Sequence, residues 1–209
     1  DLAKIGYIHL TSVPVEKDGR KFIRTTKELR FTIARDSAAA EMKADVSVDE
    51  DADGKVLAIH AKIWLGKDRV MIQEGTIIEN KLLKLSIDGG VPKANHDITW
   101  KPECVGLARE QTFLRDQKAK AGDELLYRYF EPQVANYVTV RVSVKKEEEV
   151  TLPGAVKRQL LKVVATPDAL KLPGGQMLQM PPATFWADPK SYDTIKTSMS
   201  MPELGEVTL

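Results

Sequence analysis

Residues 137–144 read Tyr-Val-Thr-Val-Arg-Val-Ser-Val, an unbroken alternation of apolar and polar positions. Side chains of an extended strand point to opposite faces in turn. Val138, Val140, Val142 and Val144 therefore share one face, and Thr139, Arg141 and Ser143 share the other. A strand buried on both sides in a parallel sheet would be apolar throughout, so the alternation points to an antiparallel sheet with one solvated face.

The same period recurs along the chain. It predicts strands over residues 5–13, 22–35 and 38–48, with a turn at Glu16-Lys17-Asp18-Gly19 and another at Asp51-Ala52-Asp53-Gly54. Leu57, Ile59, Ala61, Ile63 and Leu65 then alternate with Ala58, His60, Lys62 and Trp64. Turns at 66–68 and 79–81 separate further strands at 70–78 and 82–87, and a short extended piece follows at 96–100. Long alternating strands joined by short polar turns predict a meander that grows strand by strand. Residues 102–118 break the pattern: they are rich in helix formers, begin at Pro102 and meet Gly122 soon after their end, which predicts one helix. Phe113 lies outside the apolar arc of that helix and Arg115 intrudes on it. Strands resume at 125–130, through the valine stretch to a polar tip at 145–149, and at 157–166, 184–188, 192–199 and 204–209. Residues 167–182 carry repeated Pro and Gly and read as a surface loop, yet Leu172, Met177, Leu178 and Met180 make that loop apolar enough to lie on something.

This organisation predicts a mainly β fold in which a curved antiparallel sheet, a half-barrel, wraps around one central α-helix. No internal repeat or convincing linker divides the 209 residues, so they are expected to form a single β half-barrel domain. Hydrophobic residues at 43% and charged residues at 29% are those of an ordinary globular chain, and no apolar run reaches the length of about 18 to 20 residues that a spanning helix needs. With 31 basic and 30 acidic residues there is no basic field to draw a nucleic acid. The chain begins at Asp1 without a leader and ends on Glu206-Val207-Thr208-Leu209, still in strand pattern. Those ends suggest a processed protein, exported or periplasmic, and the N-terminal part of something longer.

Candidate chemistry is sparse. Asp49, Asp51 and Asp53 with Gly54 match the first half of a calcium loop, where alternate carboxylates in a tight turn converge on one hard cation. Position 12 of such a loop should be Glu and is His60, so a solvated acidic hairpin turn is the better reading. Cys104 is the single cysteine, and a nucleophilic thiol would need a base drawn from His9, His60 or His96, which sit on three separate predicted strands. A small buried residue near the start of the helix is the commoner identity for such a cysteine. Gly89-Gly90 and Gly174-Gly175 lack the helix and Lys-Ser/Thr of a phosphate loop, and no cofactor is expected. Trp64, Trp100 and Trp186 are dispersed and read as core or rim residues.

Five segments in order carry a resemblance: Val105-Gly106-Leu107, Lys120-Ala121-Gly122-Asp123, Tyr137-Val138-Thr139-Val140-Arg141-Val142, Pro181-Pro182-Ala183-Thr184-Phe185-Trp186 and Met201-Pro202-Glu203-Leu204-Gly205. Together they resemble the N-terminal β module of bacterial transglutaminase-like proteins, and the second half is similar to periplasmic half-barrel domains of unknown function and to lipoprotein carriers. The resemblance implies that the papain-like Cys, His and Asp set of the parent lies in a downstream domain, with no catalytic residue here. A non-catalytic accessory domain that supports that partner, or presents substrate to it, is the expected function. The alternative is a carrier or sensor holding an apolar ligand in the concave face. Trp64, Val138, Val140, Val142, Leu172, Met177, Met180 and Trp186 would then be the ligand-binding candidates, with the proline-rich loop as a flap.

Overall fold

The computed structural model describes residues 6–35, 38–64, 69–89, 94–171, 175–201 and 205–208. The predicted turn at 66–68, Gly90 and Gly174 of the two Gly-Gly pairs, and the candidate residue Leu172 lie outside them. The protein is mainly antiparallel β, with one α-helix among the described residues. Where one curved sheet was expected, the described strands form a seven-stranded sheet, a six-stranded sheet and a two-stranded ladder. The contacts also group the chain into two compact units, 1–110 with 130–135, and 111–129 with 136–209. No linker is legible between them because the chain passes from one to the other within its helix and within a strand.

In the first unit β1 (Gly6–Lys17), β2 (Arg20–Arg35), β3 (Ala38–Glu50), β4 (Val56–Trp64), β5 (Val70–Ile78), β6 (Leu82–Asp88) and β7 (Ala94–Thr99) pair in sequence order, the predicted meander. Asp18 and Gly19 both have positive φ, 51° and 72°, which is the backbone a tight hairpin turn needs to match the twist of its strands. Registers place Thr25, Val48, Ile59, Gly75 and Leu85 in one row across β2 to β6. That face is the interior: Val46, Val48, Ile59, Ala61, Leu83 and Leu85 are all buried. Ala44, Val46, Ala61 and Ile63 form a cluster on it, against which Leu107 packs at the start of α1 (Leu107–Asp116).

The helix begins later than the predicted 102–118, because Pro102 and Glu103 form a turn and Cys104 a bridge before it. Its N-terminus is closed by Glu50 from β3, whose carboxylate accepts from the backbone N–H of Ala108 at 2.7 Å and of Arg109 at 3.3 Å. Two otherwise unpaired helix donors are satisfied by a side chain remote in sequence. Gly106 makes room for it, since a Cβ at that position would run into the Glu50 carboxylate.

In the second unit β8 (Glu124–Glu131), β9 (Asn136–Leu152), β10 (Val156–Pro167), β13 (Ala183–Ala187), β14 (Thr194–Met201) and β15 (Gly205–Thr208) lie in the order β15-β14-β13-β10-β9-β8, with β8 shared between the units. The charged run 145–149, expected to be a polar tip, is the middle of β9, and the hairpin turns instead at Pro153–Ala155. Cross-strand partners hold those charges in place: Lys157 donates to Glu149 at 2.7 Å and Lys162 to Glu148 at 3.3 Å. The predicted loop contains β11 (Leu170–Lys171) and β12 (Met177–Leu178), which pair with each other.

Candidate functional site

Four strands of the first sheet bring together a group of titratable side chains, on the face opposite the apolar interior. Arg24 on β2 and Asp49 on β3 are direct cross-strand partners, as are His60 on β4 and Glu74 on β5. Arg24 grips Asp49 with two hydrogen bonds, Nε to Oδ1 at 2.6 Å and Nη2 to Oδ2 at 2.7 Å, the fork geometry that suits a carboxylate. His60 Nδ1 meets the Glu74 carboxylate, and its Nε2 faces Asp49 Oδ2 at 3.6 Å, an ion-pair contact just beyond hydrogen-bond length. The result is an alternating row of charge across the sheet.

The environment acts differently on the two central groups. Burial pushes the Asp49 carboxyl up, but the hydrogen bonds and charges of Arg24 and His60 outweigh it and hold it at about 2. For His60 the Asp49 carboxylate is the strongest influence and raises the imidazole above its ordinary value; burial opposes this and Glu74 adds to it. Such an arrangement favours the protonated imidazole. Ser47, directly opposite His60 on β3, hydrogen-bonds Thr26 at 2.8 Å. His9, in turn, faces Glu28 at 3.8 Å.

The suspected calcium loop resolves into separate tasks for its carboxylates. Asp49 belongs to the charge row. Asp51 accepts from the backbone N–H of Asp53 and of Lys55, both at 2.9 Å, and so shapes the turn, while Asp53 pairs with Lys55 at 3.6 Å. Cys104 is buried. Glu50 is buried too, which raises its carboxyl against the lowering effect of the Ala108 and Arg109 N–H groups.

The apolar candidates do not gather on one surface. Trp64 lies in the first unit, in the polar row with Lys43, its ring faced by the Arg30 guanidinium at 5.2 Å and the Lys62 ammonium at 5.0 Å. In the second unit Val138, Val140, Val142 and Val144 are 0–2% exposed. Val144 pairs with Val163, which pairs with Phe185, so Trp186 is on the opposite face of that sheet. There Trp186 packs with Val150 and Leu160, donates its indole N–H to Glu148 at 2.8 Å and has Lys162 and Lys196 near its ring. Met177 is exposed and Met180 half-buried. Sequence reasoning missed Arg24, Glu74, Glu148 and Glu50 as participants. The first three occupy polar positions in the period-two pattern, but only the register between strands reveals their partners.

No family model matches the chain, and no curated protein matches it in sequence. Among solved structures it is similar to the crystal structure of a beta-barrel-like protein of domain of unknown function DUF1849 from Brucella abortus, with a TM-score of 0.59, 11% identity, and 98% of this chain and 96% of that one covered. At that identity the likeness is one of fold alone: a mainly antiparallel chain built like a β-barrel-like protein of unknown function.

Proposed function

We propose that this chain is a non-catalytic β module that serves as an accessory to a transglutaminase-like catalytic domain of the same exported protein, supporting that domain or presenting substrate to it. The observation that carries the reading is the commitment of its reactive groups to the fold. His60 is enclosed by the carboxylates of Asp49 and Glu74, Arg24 is bound to Asp49, and Cys104 is buried. A general base needs a lone pair facing a substrate proton, and both ring nitrogens of His60 face carboxylates instead. The sequence resemblance supplies the identity of the partner. No helix among the described residues is long and apolar enough to cross a membrane.

The test compares the natural polypeptide with a version lacking residues 1–209 for thiol-dependent amide transfer or hydrolysis. Loss of activity or of catalytic-domain stability on removal is expected. A catalytic domain indifferent to the removal, or a natural polypeptide without a Cys/His/Asp domain, overturns the reading. Carriage of an apolar ligand ranks second, because the valines that would line its site are 0–2% exposed.

A further inference from the structure

His60 stands among charged groups on the polar face of β4. The charged groups around it come from every neighbouring strand. Arg24 lies on β2 and Asp49 on β3, with Asp45 four residues back on the same face and held by Arg30 at 2.6 Å. Lys62 is the next polar-face residue on β4, Glu74 stands opposite on β5, and Lys84 and Asp88 flank Ser86 on β6. The imidazole lies between two carboxylates of unequal exposure, with side chains 7% exposed for Asp49 and 58% for Glu74.

A neutral imidazole has one N–H and one lone pair, so it can donate to only one of these carboxylates while presenting a lone pair to the other. An imidazolium donates to Glu74 through Nδ1 and meets Asp49 through Nε2 as an ion pair at 3.6 Å, its charge strengthening both contacts. Asp49 keeps Arg24 in either state, whereas His60 is the cross-strand partner of Glu74. We propose that His60 is a proton-operated clamp: carrying both ring protons it ties β3 to β5 across the polar face of β4, and losing one loosens the hold on β5. The sign follows from linkage. The folded state raises the affinity of His60 for its proton, so the clamp's contribution is complete below the unfolded value of about 6.5 and is lost as pH rises through the higher folded value.

Imidazole NMR titration of the intact chain, combined with amide hydrogen exchange of β5 at about pH 5.5 and about pH 8.5, tests this. The His60 midpoint is expected above that of free histidine. Protection of β5 amides, corrected for intrinsic rates, should fall across that transition. Glu74→Gln, a change at an exposed side chain, should lower the His60 midpoint, and both Glu74→Gln and His60→Gln should remove the pH dependence of β5 protection. A His60 midpoint at or below that of free histidine overturns the clamp. So does β5 protection that is independent of pH, or a pH dependence that persists in either variant.

Discussion

Asp49 shows how much a single buried carboxylate depends on its partner. Its side chain is 7% exposed and it is doubly hydrogen-bonded by Arg24, which keeps it ionised down to about pH 2. Because its folded value is depressed, the stability it contributes is present above the unfolded value of about 3.9 and is lost as pH falls through about 2. Arg24→Met should therefore destabilise the chain by about 3 kcal/mol at neutral pH in urea unfolding, since it strands a buried charge. The double change Arg24→Met with Asp49→Leu should recover most of that loss, because no unpaired ion remains. A double variant no more stable than Arg24→Met would show that the ion pair is not the source of the effect.

At the scale of elements, the helix and the valine strand make contrasting cases. Ten residues are too few for a helix to be stable alone, so α1 relies on Leu107 packing on the first sheet and on Glu50 at its N-terminus. Glu50→Ala is expected to cost about 1 to 2 kcal/mol. Gly106→Ala should be harmful for a different reason, its methyl group displacing the carboxylate, and combining the two changes should cost less than their sum. Chemical denaturation of the three variants checks this; strict additivity would mean the two residues do not share one contact. The valine strand needs no such help to be read. Val142, 1% exposed, should cost about 2 kcal/mol when changed to Ala. β9 as a whole was partly illegible, because Lys145 to Glu149 looks like a solvated end until Glu148 and Glu149 find Trp186, Lys162 and Lys157 across the sheet.

For the whole molecule, the interleaving of the two units has a measurable result. Phe130 falls in sequence among residues of the second unit, yet it belongs to the first and meets Trp100 with ring centroids 6.3 Å apart. Phe130→Ala, at a position 6% exposed, should cost about 3 to 4 kcal/mol. Hydrogen exchange should show the loss first in β2 to β6, with β9 and β10 less affected; protection lost only within 136–209 would contradict that assignment.

Read alone, the sequence determined the class of this protein: period-two alternation, short turns with Asp-Gly at 18–19, and one break for a helix are local patterns, and local sterics are enough to decode them. It also isolated His60, Asp49, Cys104 and Trp186 as residues to watch. Their company was decided by tertiary structure. Alternation tells which face a side chain occupies but not which residue of the next strand stands beside it, so the partnership of His60 with Asp49 and Glu74 emerged only from the register. The division into two sheets, and the placing of Trp186 on the face opposite the valines, depend in the same way on pairings between residues distant along the chain. Cross-strand contact is a property of the assembled backbone, and no window of neighbouring residues contains it.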